Sequence, residues 1–154
     1  MSGRAGTPGR SRLANDAWES LLTVHATFMK SFAAEPIWGE VSMKEYDVLY
    51  ALTKSDEPVR LTDLHRRVLL SQPALSRMVD RLVDRGLVER GPDPSDKRVV
   101  RLALTDAGRA CQRDAGRAHA RDVTAAMTER VSDADLEELK RITRALLGTK
   151  EKDS

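Results

Sequence analysis

Cysteine is all but missing. Cys111 is the only one in 154 residues, which excludes an intrachain disulfide and fits a reducing compartment. Aromatic residues are scarce too, at 4% against 32% charged, so a core built from this chain is aliphatic and its surface ionic. No apolar run approaches the roughly 20 residues of a membrane span. The opening MSGRAGTPGRSR carries basic residues with no apolar stretch behind them. It reads as a flexible arm and not as a secretion signal, and the expectation is a cytoplasmic protein without membrane association. Catalytic signatures are lacking as well. His25, His65 and His119 are scattered, and neither an H-E-x-x-H pair nor a glycine-rich phosphate loop occurs. DLHRR offers no second ligand at metal spacing, and a lone cysteine disfavours zinc. Neither an enzyme, a metal nor a cofactor is expected.

Excess charge of one sign is also small, a formal +2, so a global basic coat is excluded and distribution decides. Between Arg60 and Arg101 ten bases face six acids, a local +4, while the rest of the chain is slightly acidic. That is the footprint of local attraction to a polyanion.

The periodicity predicts a first helix from about Leu13 to Ala34, striped by Leu13, Ala17, Leu21, Val24, Phe28 and Phe32 and ended by Pro36. Ser42 and Glu45 stand in capping-box spacing before a second helix whose Tyr46, Leu49 and Tyr50 are expected to face inward. The turn SDEP closes it. Thr62 is the expected cap of a short third helix through Leu64 and Val68. A fourth begins after Ser71, tolerates Pro73 in its first turn, and stops at Gly86. The period then changes to two. Val100, Leu102 and Leu104 alternate as one buried strand face, and with LVER they form an antiparallel hairpin around the charged tip GPDPSDKR. Thr105 caps a long alanine-rich helix to about Arg130, and Ser132 with Asp135 opens a last one carrying Leu136, Leu139, Ile142 and Leu146.

Helix, turn, helix and hairpin in that order describe a helix-turn-helix with a wing, whose second helix meets base edges with its N-terminal residues. Ser71, Ala74 and Ser76 are small enough to let backbone approach DNA, while Gln72 and Arg77 offer hydrogen bonds to bases or phosphates. A wing tip with Lys97 and Arg98 suits a neighbouring minor groove. Arg66, Arg67, Arg81 and Arg85 serve equally well as phosphate contacts or as helical partners of Asp63, Asp80 and Asp84.

The stretch LLSQPALSRMVDRLVDRGLVERGPDPSDKRVVRLALTDAG resembles the signature of the MarR family of winged-helix regulators, through SQPALSR, VDRLVDRGLVER, DPSDKR and LTDAG. Leu69 stands where a generic helix-turn-helix often has glycine. The resemblance implies a mainly α fold with a small β-hairpin, a winged helix-turn-helix flanked by N- and C-terminal dimerisation helices. Its expected layout is an arm over 1–12, a dimerisation and pocket helix over 13–40, the winged domain over 41–105, dimerisation helices over 106–148 and a frayed tail over 149–154. By resemblance Ser71, Gln72, Ala74, Ser76 and Arg77 read or clamp the major groove, Arg98 enters the minor groove and Asp96 orients it, while Pro73, Arg81 and Lys97 complete the expected DNA-binding set. The implied function is a sequence-specific regulator of double-stranded DNA, a repressor acting as a homodimer on a pseudo-palindromic operator.

Many relatives in that family release DNA when a small aromatic or anionic effector binds. Trp18, His25, Phe28, Phe32, Trp38, Tyr46, Asp47 and Tyr50 are the candidates to line such a pocket, with core packing as the other use of the aromatics. A redox role for Cys111 has no sequence support beyond its presence. The competing function is a winged-helix module that binds protein instead of DNA. An apolar wing tip would favour it, and the tip here is charged.

Overall fold

The computed structural model describes residues 8–148. Positions 1–7 of the expected arm and all of the expected tail, 149–154, lie outside the described residues. The chain divides into two compact units, one reaching Ala115 and one from Gly116 onward.

The first unit starts with α1 (Pro8–Ala34). The helix therefore takes in positions 8–12, which were expected to be arm. Nothing between Arg10 and Leu13 breaks a helix, and proline at the first helical position costs no hydrogen bond. Beyond the Pro36 corner the Trp38 indole N–H donates to the Phe32 carbonyl at 2.8 Å. In α2 (Met43–Leu52) the capping box forms as read, with Glu45 N–H to Ser42 Oγ at 3.2 Å and Ser42 N–H to Glu45 Oε2 at 2.9 Å. Tyr46 and Leu49 are buried, but Tyr50 is 42% exposed. Val48, Leu49 and Leu52 fill the inward arc of the helix. The Tyr50 ring instead stacks on Tyr46, 6.0 Å between centroids, with Lys54 Nζ 4.1 Å above it.

A strand invisible to periodicity follows, β1 (Val59–Arg60), and runs directly into α3 (Leu61–His65). Arg60 is the N-cap, and its side chain makes no capping hydrogen bond to the helix. Thr62 is thus inside the helix and does not cap it, because the strand delivers the chain in extended geometry one step earlier. Ser71 does cap α4 (Gln72–Asp84), accepting from the Ala74 N–H at 3.3 Å. Gly86, at φ +71°, turns the chain into β2 (Val88–Pro92), which pairs antiparallel with β3 (Val100–Leu104) from Val88 opposite Leu104 to Pro92 opposite Val100. The sheet order is β1-β3-β2. Leu102 and Leu104 are buried, whereas Val100 is 47% exposed, since it lies opposite Pro92 at the wing end of the ladder.

Leu49, Leu64, Leu75 and Leu82 are fully buried together with Val48 and Val88. Val68 and Leu70 pack on this core from its edge. Burying such a leucine is worth about 1.5–3 kcal/mol. The start of α5 (Asp106–Thr128) is locked to the sheet. Thr105 Oγ donates to the Gly86 carbonyl at 2.6 Å and accepts from the Gly108 N–H at 3.0 Å. A Cβ on Gly108 would fall 1.9 Å from the Leu87 carbonyl oxygen, so the close approach of α5 to the residue leading into β2 demands glycine there.

In the second unit, α6 (Asp133–Leu146) opens with a capping box between Ser132 and Asp135 and contains no buried residue. Leu139, Ile142 and Leu146 stand exposed.

Candidate nucleic-acid interface

The start of α4 is open to solvent. Its inner face buries Leu75, Met78, Val79 and Leu82, and this leaves Gln72, Pro73, Arg77 and Arg81 exposed with Ala74 and Ser76 half-covered. Ser71 satisfies one of the free N–H groups of the first turn, and the others, with the positive end of the helix dipole, remain for an anion. The turn before α4 is tied down by His65, whose Nε2 donates to the Leu70 carbonyl at 2.9 Å. Leu69 sits in that turn 89% exposed. It needs no left-handed backbone, since among the described residues positive φ occurs only at glycines.

The arginines resolve into two groups. Arg85 pairs with Glu45 at 3.2 Å and also donates to the Glu40 carbonyl, Arg81 Nε lies 3.9 Å from Glu45, and Arg90 pairs with Asp80. Arg66 pairs with Asp63 at 3.3 Å, and Arg67 donates to Ser55 Oγ at 2.8 Å. Of the expected helical pairings, only the one with Asp63 forms. Among the described residues, Arg77, Lys97 and Arg98 have no acidic partner.

The wing is a turn closed by the Asp93 N–H to the Val99 carbonyl at 3.0 Å and the Val99 N–H to the Asp96 carbonyl at 3.0 Å. Lys97 and Arg98 are exposed at its tip. Asp96 was expected to hold the Arg98 guanidinium. Its Oδ1 instead accepts the Arg98 backbone N–H at 3.0 Å, because an aspartate two residues upstream reaches main chain more readily than a long side chain's end.

Asp93, overlooked in the sequence, is the best-bonded group of the region. It is 1% exposed. Its Oδ1 accepts the Ser95 hydroxyl at 2.6 Å and the N–H groups of Ser95 at 2.9 Å and Asp96 at 3.2 Å. Its Oδ2 accepts Nε of Arg60 at 3.0 Å and Nε of Arg101 at 2.8 Å. The Ser95 hydroxyl and then Arg101 hold its carboxyl well below the ordinary carboxylate range. The available signal was the P-D-P-S run, in which an aspartate followed two residues later by serine is an Asx-turn pattern.

The candidate effector residues divide. A cleft of about 440 Å³ in the first unit is lined by Met29, Lys44, Asp47, Tyr50, Lys54, Arg67 and Leu69 among others. Of the expected set it includes Asp47 and Tyr50. Trp38 and Tyr46 are buried in the core, their rings 5.3 Å apart. Phe28 packs against Phe32 at 5.7 Å, and Trp18 and His25 are exposed on α1. Lys44, Lys54 and Met29 went unnoticed because their convergence depends on tertiary contacts. Cys111 is half-buried, and burial, then Glu40, pushes its thiol up and away from thiolate character. Among the described residues no group of three His, Cys, Asp or Glu side chains is placed to hold a metal. No helix there is long and apolar enough to cross a membrane.

Helix-turn-helix, three-stranded sheet with its wing and flanking helices define the winged helix-turn-helix class of fold. Residues 41–99 match the MarR family model, and this central segment is a MarR-family domain. Over 37 residues the chain is 60% identical to the multiple antibiotic resistance protein MarR of Escherichia coli K12, covering 24% of this chain and 26% of that protein. Over 69 residues it is 32% identical to the uncharacterized HTH-type transcriptional regulator YdgJ of Bacillus subtilis 168, covering 45% and 42%. The chain thus spans less than half the length of the curated relatives it matches. Three solved structures share the fold. AbsC, a MarR-family regulator of Streptomyces coelicolor, has TM-score 0.76 at 23% identity over 95% of this chain and 97% of its own. A MarR variant from Escherichia coli complexed with operator DNA has TM-score 0.72 at 24% over 86% and 96%. CouR from Rhodococcus jostii bound to p-coumaroyl-CoA has TM-score 0.72 at 23% over 92% and 98%.

Proposed function

We propose that the chain is a sequence-specific regulator of double-stranded DNA, in its expected mode a cytoplasmic repressor that binds a pseudo-palindromic operator as a homodimer and has no catalytic role. One observation carries this reading. The capped, exposed start of α4 presents Gln72 and an unpaired Arg77, and the wing presents unpaired Lys97 and Arg98. These are groups suited to base edges, phosphates and a narrow minor groove. Ser71, Pro73, Ala74, Ser76 and Arg81 complete the proposed contact surface, Arg81 only loosely held by Glu45. A solved neighbour complexed with operator DNA supports the reading by analogy.

The test is a titration of a duplex, selected by the protein from a random pool, at several salt concentrations. Affinity should fall steeply with salt, and Arg77→Ala or Arg98→Ala should each weaken it by about 1–3 kcal/mol. Salt-independent binding, or indifference to both substitutions, rejects the reading in favour of a protein-binding winged helix.

The cleft beside α2 is proposed as the effector site. Lys44, Lys54 and Arg67 bring positive charge, Tyr50 an aromatic face and Met29 and Leu69 apolar cover, a combination suited to a small aromatic anion. A panel of aromatic carboxylates should contain members that release the duplex, and Arg67→Ala should blunt that release without altering DNA affinity. Equal release from the variant would place the effector elsewhere.

A further inference from the structure

We infer that Asp93 is a positioning residue for the wing, holding Arg98 ready for DNA through a relay of hydrogen bonds; this rests on the DNA-binding reading above. The relay has two ends. At the buried end one carboxylate oxygen gathers Arg60, which is the N-cap of α3, and Arg101 of β3. Arg101 is itself anchored by Nη1 to the Pro58 carbonyl at 3.0 Å. The base of the wing is therefore pinned to the first helix of the helix-turn-helix and to the central strand at once. At the outer end the second oxygen folds the turn by accepting from Ser95 and from the Asp96 N–H. Asp96 then accepts the Arg98 N–H. From Asp93 to Arg98 every step is a hydrogen bond on main chain or a short side chain, so the backbone at the tip is set before DNA arrives. Such pre-organisation spares the binding step the entropy of ordering a loop.

The two arginines also explain why the central group must be charged. They approach from separate strands and share one oxygen, and a neutral amide there would leave two guanidinium groups facing each other without an anion. Asparagine keeps the size of the side chain and removes the charge, so Asp93→Asn should loosen the wing while the helix-turn-helix core stays packed. Ser95→Ala is milder. It removes the 2.6 Å hydroxyl donor at an exposed position and leaves the arginine side intact.

A double-mutant cycle on the selected duplex separates positioning from mere structure. Asp93→Asn should weaken binding about tenfold and Ser95→Ala about threefold, the loss of well-made contacts being the scale. In an Arg98→Ala background both losses should largely vanish, and in a Gln72→Ala background both should persist in full. Circular dichroism and melting at the assay temperature show whether Asp93→Asn remains folded, and Ser95→Ala carries the cycle if it does not. Equal losses with and without Arg98 overturn the inference while leaving the DNA reading intact. A wild-type chain that shows no salt-dependent duplex binding removes both.

Discussion

At the scale of single residues, Asp93 shows how strongly position changes what a carboxylate does. Asp80 and Asp96 are exposed, while Asp93 is sealed among donors. Its folded pKa is depressed relative to about 3.9 for a free aspartate. Its contribution to stability is therefore present above that unfolded value and is lost as pH falls through the folded one. Urea-unfolding midpoints followed from pH 6 to pH 2 should decline more steeply for the wild type than for Asp93→Asn below about pH 4. Parallel curves would mean that the carboxylate is not the group responsible. Gly108 is the opposite kind of residue, defined by what it lacks. It was legible only as part of LTDAG, and the carbonyl that excludes a methyl group there belongs to Leu87, 21 positions earlier in the chain.

At the scale of elements, α4 was the most legible part of the molecule. Its serine cap, its early proline and its terminal glycine are local signals, and all three stand where those signals put them. The cap also permits a separation of folding from recognition. Ser71→Ala should cost about 1 kcal/mol of stability, the usual value of a lost N-cap. Ser71→Asp should retain the cap and the stability yet weaken DNA binding by several kcal/mol or less, since like charges are brought together at the phosphate-facing end. Thermal melts and duplex titrations on the same preparations check both halves. An aspartate variant that binds as tightly as wild type would move the proposed contact away from the start of α4. The short third helix is less legible. Its true cap, Arg60, belongs to a two-residue strand that exists only because β3 is beside it, so no local pattern announced it.

At the scale of the whole molecule, the proposed homodimer rests on exposed apolar side chains in each unit taken separately. Leu13, Leu21 and Leu22 are uncovered on α1, and Leu139, Ile142 and Leu146 on α6. Leaving such faces in water forgoes roughly 25 cal/mol per Å² of apolar area, and a two-fold pairing would recover it while presenting two reading heads to paired half-sites. Sedimentation should show a particle of two chains. Ile142→Asp should shift it toward single chains and reduce operator affinity by tenfold or more, about 1.4 kcal/mol at least. A variant that stays dimeric would remove α6 from the interface.

The sequence by itself determined the order of the helices and the hairpin, the caps of α2, α4 and α6, and the exposed start of the reading helix. Each depends on residues within a few positions of one another, where backbone propensity and side-chain spacing are decided locally. Tertiary structure alone decided that Tyr50 would face a cleft, that Arg81 and Arg85 would turn toward Glu45, that lysines 44 and 54 would meet Arg67, and that Asp93 would be buried between Arg60 and Arg101. The partners of these charges lie from 8 to 40 positions away. Which of them a charge finds is settled by how the helices and strands pack, and not by the pattern around the charge itself.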